Sequence, residues 1–125
     1  MSGAVERVIC YSLCIGINTY PTTTGLASLD YAENDAQNMD KLLGRQGFAQ
    51  ENRRLFLGKE ATLDAINRAM GEILLDRPQQ HDLIIFYFAG HSIPIAIQEQ
   101  TERQSEVFLA TYDFDYERIQ TSIAY

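Results

Sequence analysis

The chain has 125 residues, 46% hydrophobic and 22% charged, with 10 basic against 17 acidic side chains and a formal charge of −7. That suffices for one domain with a filled core, or for part of a larger one. No basic run or basic-aromatic stripe suggests nucleic acid, no basic-apolar-small pattern marks a secretory signal, and no apolar run approaches the roughly 20 residues of a spanning helix.

Residues Arg7 to Ile17 predict a first strand rich in Val, Ile, Leu and Cys, ending in Gly16-Ile-Asn-Thr-Tyr20. The two cysteines, Cys10 and Cys14, would share a face of it about 13 Å apart, at roughly 3.3 Å per residue. That exceeds the roughly 7 Å a disulfide allows between Cα atoms. No neighbouring His or Cys completes a metal site. Two buried free thiols fit a reducing, cytoplasmic compartment.

Pro21 to Gly25 reads as a loop. Ala32, Ala36, Met39, Leu42 and Leu43 recur at helical spacing and predict a helix ending at Gly44 or Gly47. Arg54 to Leu57 is a short strand closed by Gly58. Thr62 suits the N-cap of a helix from Leu63 to Leu75, with Ile66, Met70, Ile73 and Leu74 as its buried stripe and Pro78 past its end.

Leu83 to Phe88 is an unbroken apolar run of β-branched and aromatic residues, hence a buried strand. It stops at Gly90 and presents His91 where open α/β sheets place their sites. Histidine suits proton transfer near neutral pH. Ile93 to Ile97 alternates weakly, and Pro94 confines it to an edge. Gln98 to Gln104 reads as a turn or loop, and Val107 to Ala110 as a strand leading to Tyr112-Asp113-Phe114-Asp115. The residues from Tyr116 give no clear assignment.

The order β-α-β-α-β followed by shorter strands predicts an α/β domain, a mostly parallel sheet with helices on both faces. With no closing helix a sheet edge would lie uncovered, so the fold is expected to continue past residue 125.

Four groups of residues bear on chemistry. Gly16 to Tyr20 is neither a P-loop nor a dinucleotide fingerprint, so a nucleotide site is not expected; a tight turn with Asn18 bonding backbone explains it equally. Glu33-Asn34-Asp35 opens a helix, where acids also complement the dipole. His91 needs a nucleophile, and no serine or cysteine stands in an elbow motif. Asp113 and Asp115 supply too few oxygens for a calcium loop.

Taken in order, these segments resemble one family. "CIGINTY", "LDYAENDAQNMDKLLGRQGF", "ATLDAINRAMGEIL", "DLIIFYFAGHS" and "EVFLATYDFD" are similar to the successive motifs of caspase-fold domains of peptidase clan CD, family C14, especially metacaspases and bacterial caspase-like proteins. The likeness runs from about Val8 to Tyr125. It implies a caspase-like, caspase-haemoglobinase three-layer fold, of which residues 1–125 would be the N-terminal portion of a single domain, incomplete at its C-terminal side.

The resemblance also implies roles. His91 would be the catalytic base of a cysteine endopeptidase acting on a peptide or protein substrate. Gly90 and Ser92 would shape the oxyanion region. Asp35, with Asn18, would line an S1 pocket that takes Arg or Lys. Ser92 replaces the family's usual glycine, and Ala89 its common serine. No cofactor is implied beyond the calcium dependence of some relatives, and no calcium site can be assigned. In caspases the cysteine follows the histidine by about 50 residues. No cysteine follows His91, so the nucleophile is expected beyond the chain, in the remainder of the domain or in a separate chain. The alternative is a catalytically inactive caspase-like interaction or regulatory module.

Overall fold

The computed structural model describes residues 8–73, 79, 82–99, 102–115 and 122–124. The expected strand start at Arg7, the helix end at Leu75 and Pro78 lie outside them. The elements are β1 (Cys10–Gly16), α1 (Ala32–Arg45), β2 (Arg53–Leu57), α2 (Leu63–Gly71), β3 (Leu83–Ala89), β4 (Ser92–Glu99), β5 (Glu102–Ala110) and β6 (Ser122–Ala124).

β1, β2 and β3 form a parallel sheet in the order β2-β1-β3, with Gly16 opposite both Leu57 and Ala89. Alternation along β1 sends Cys10 and Cys14 to one face and Tyr11, Leu13 and Ile15 to the other. The first face meets Met39 and Leu43 of α1, with Phe48 and Leu55. The second meets Ile66 and Ala69 of α2, with Ile73, Ile93 and Phe114. A βαβ crossover on each side gives the expected three layers.

Local chemistry sets the helix ends. Tyr31 offers α1 no side-chain cap, but Asn18, from the loop after β1, accepts the Glu33 N–H at 2.9 Å. The Asn18 N–H returns to Glu33 Oε2 at 2.9 Å. One asparagine thus pairs an orphan amide of α1 and fixes the loop beside it. α1 stops at Arg45, and Gly47 supplies a left-handed turn at φ 99°. Thr62 caps α2 through the Ala65 N–H.

β4, β5 and β6 form a second, antiparallel sheet in that order. Pro94 lies on its edge strand, as its missing N–H requires. The polar stretch from Gln98 to Gln104 departs from expectation. β4 runs on to Glu99 and β5 starts at Glu102, with Gln98 opposite Arg103. Backbone pairing holds both arms of the hairpin, so an apolar alternation is not needed there and composition alone reads as loop.

Candidate active site

The carboxyl ends of β1 and β3 lie side by side, and the Ile17 N–H extends their ladder to Ala89 O at 3.0 Å. Asn18 and His91 each sit two residues past these matched ends. His91 therefore emerges at the carboxyl edge of the parallel sheet, where β3 gives way to β4.

Its surroundings define its chemistry. His91 Nε2 lies 2.6 Å from the Ala27 carbonyl oxygen. A carbonyl only accepts, so Nε2 carries a proton and donates it. The neutral ring then keeps its lone pair on Nδ1, the nitrogen able to take a proton. The backbone is held as firmly. The His91 N–H donates to Tyr20 Oη at 3.1 Å, and His91 O accepts the Ala110 N–H at 2.9 Å. Tyr20 Oη in turn donates to Ala110 O at 2.8 Å.

Gly90 is required by close approach. A Cβ there would stand 2.7 Å from Tyr20 Oη and 2.9 Å from Phe88 Cζ. Ser92 is exposed, opening β4 opposite Leu109.

Asp35 is exposed in the first turn of α1, the helix whose start packs over Gly16 at the end of β1. It lies near enough to Tyr87 of β3 to help raise that phenol's pKa, after burial, which is the larger cause. Among the described residues no hydrogen bond or ion pair joins Asp35 to His91. The Asn18 side chain is engaged with α1. Glu33, two residues before Asp35, is turned to the Asn18 amide and towards Gly58.

Neither cysteine is placed to serve His91. Cys10 is at the amino end of β1. Cys14 is buried against the α1 side, and burial pushes its thiol up to about 11, the Asp40 carboxylate adding to the effect. A thiol in that state is a poor nucleophile near neutral pH.

Asp113 has a structural task. Its Oδ1 accepts the Leu63 N–H at 3.0 Å, at the start of α2, and the Thr111 hydroxyl at 2.8 Å. Among the described residues no group of three or more His, Cys, Asp or Glu could hold a metal ion. The donors among the described residues do not fit a calcium site. Among the described residues, too, no helix is long and apolar enough to cross a membrane.

Sequence reasoning missed Tyr20, Ala27 and Ala110, the residues that hold His91. Ala27 and Ala110 act through backbone and leave no signal of residue type. Tyr20 leaves one: an aromatic residue closing the loop after β1, matched by the smallest residue, Gly90, on the neighbouring strand's exit.

A family model described as the caspase domain of peptidase family C14 matches residues 9–119. No curated protein matches the chain significantly.

Proposed function

The chain belongs to the caspase domain family, and from that premise we propose that it is the histidine-bearing, N-terminal part of a cysteine endopeptidase of metacaspase type that cleaves after Arg or Lys. The observation that carries this is His91 at the carboxyl edge of the parallel sheet, with Nε2 bound to Ala27 O and Nδ1 left as the base.

The chemistry follows from that tautomer. Nδ1 takes the proton of a cysteine thiol, and the thiolate attacks the scissile carbonyl carbon. The imidazolium keeps its Nε2–H on Ala27 O. It then gives the Nδ1 proton to the leaving amine as the C–N bond breaks, and water hydrolyses the thioester. Gly90 and Ser92 flank the place where the oxyanion would form, and Ser92 retains the N–H that such a hole uses. The thiol comes from outside these residues, because Cys10 is at the wrong end of β1 and Cys14 is buried in a protonated state. Asp35 meets a basic P1 side chain, and a carboxylate there repels an acidic one.

The same placement of the cysteines, together with Ser92 and Ala89, favours a second reading: an inactive caspase-like module that binds protein without cutting it.

The test is peptide hydrolysis with Arg, Lys or Asp at P1. The 125-residue chain alone should cleave none of them. The longer gene product should cleave after Arg and Lys, and lose this on His91→Ala. Asp35→Ala should remove most turnover of basic substrates, on the order of 100-fold, the size of losing one well-placed ionic contact. Glu33→Ala should lower stability by about 1 kcal/mol, by unpairing the Asn18 amide, and leave P1 preference alone. Preference for Asp, or indifference to Asp35→Ala, overturns the S1 assignment. An inert longer product that still binds protein decides for the second reading.

A further inference from the structure

Three segments distant in sequence meet at the hydroxyl of Tyr20. The side chain is 4% exposed, so its polar atom must be paired inside the protein. Oη donates to Ala110 O at 2.8 Å and receives the His91 N–H at 3.1 Å. The Ala110 N–H closes the circuit on His91 O at 2.9 Å. A phenol has one proton to give. With that proton on Ala110, the oxygen's lone pair is the part that faces His91.

Burial pushes this phenol up to about 12, against the lowering effect of the His91 N–H. It stays protonated wherever a histidine base operates, so the circuit keeps its direction. The Tyr20 ring also meets the imidazole edgewise, with centroids 5.5 Å apart and planes at 62°. Space for the hydroxyl is kept by Gly90, where a Cβ would fall 2.7 Å from Oη. A phenylalanine would fill the same volume, but without the hydroxyl it would leave the His91 N–H and Ala110 O unpaired in the interior.

We propose that Tyr20 is a positioning residue for His91: its hydroxyl fixes the histidine backbone and its ring fixes the imidazole, so that Nε2–H stays on Ala27 O and Nδ1 stays free to accept a proton. The use of Nδ1 as a base rests on the peptidase reading. The positioning does not.

The experiment is nitrogen NMR of the His91 imidazole in the full chain under mildly alkaline conditions, assigned by its loss in His91→Gln. Wild type should show one neutral tautomer, Nε2–H, with its two ring nitrogens well separated in shift. Tyr20→Phe should bring them towards a common averaged value. Ile66→Val, which trims the core beside α2, should leave the wild-type pattern. A folded Tyr20→Phe with that pattern, or equal averaging in Ile66→Val, overturns the proposal. Should Tyr20→Phe not fold, Gly90→Ala carries the test by crowding the hydroxyl aside: averaging supports the proposal, and an unchanged pattern overturns it. In an active longer form, Tyr20→Phe should lower kcat about 10–100-fold, the scale of a catalytic group held loosely, with KM little changed. The NMR readout needs no activity, so silence in a peptidase assay counts against the peptidase reading alone.

Discussion

Cys14 shows how burial decides whether a side chain can react. Cys14 is fully enclosed, and its thiol is pushed from an ordinary 9.0 to about 11. A thiol that holds its proton longer when folded contributes stability that is complete below pH 9 and is lost as pH rises through about 11. The loss over that window is on the order of 2–3 kcal/mol, at about 1.4 kcal/mol per unit. Tyr20, raised to about 12, extends the decline to higher pH by the same logic. Urea unfolding of wild type and Cys14→Ala between pH 8 and about 11 should give curves that converge as pH rises. Parallel curves would mean that Cys14 is not so enclosed. The placement of His91 just past the carboxyl end of β3 was legible because an apolar run of strand length stops at Gly90. Tyr20 was not, because its two partners lie 71 and 90 residues further on. No local pattern carries a contact of that range.

At the scale of the element, two contacts determine where the helices sit. Gly16 ends β1 beneath α1, where an added Cβ would come within 2.5 Å of Ala32 O and 2.8 Å of Glu33 Cα. Both are backbone atoms and cannot swing aside. Gly16→Ala should therefore lift α1 from the sheet at a cost of roughly 3 kcal/mol, the upper end for overpacking, read as a lowered urea midpoint. α2 is secured from a distance. Thr62 caps it locally, but Asp113 holds the Leu63 N–H from the far side of β5, and the Tyr112 N–H bonds Ala61 O beside it. Asp113→Ala should cost about 1–2 kcal/mol, as the loss of a charged cap does. It should also speed hydrogen exchange at the Leu63 amide, and unchanged exchange would refute the capping role. Thr62 as a cap was readable from residue type. Asp113 was weighed only with Asp115, as oxygens too few for a calcium loop, because the helix it serves is 50 residues earlier. The hairpin arms of β4 and β5 were underestimated for a related reason: backbone pairing needs no particular side chain.

For the whole molecule, the layered architecture was the most legible feature. Apolar runs of strand length alternating with amphipathic helices leave few arrangements other than a parallel sheet covered on both sides. The division of β1 into a Cys10-Cys14 face and a Leu13-Ile15 face follows directly from alternation. The separate sheet of β4, β5 and β6 was not legible, because a weakly alternating segment with Pro94 indicates an edge without saying of which sheet.

β1 lies between β2 and β3, and this order has a consequence for the protein's synthesis. The central strand leaves the ribosome before either neighbour. Ile9 and Asp82, joined across the start of β1 and β3, are 73 residues apart. At roughly 5–20 residues per second, that distance takes about 4–15 s to translate. β2 and α1 arrive early and shelter one face. Tyr11, Leu13 and Ile15 on the other face wait for α2 and β3. The strand made before either neighbour is thus sealed last, and for those seconds the nascent chain displays these apolar side chains to whatever binds such segments. Slowing translation between Gly16 and Leu83 lengthens that display without altering a single residue of the finished protein.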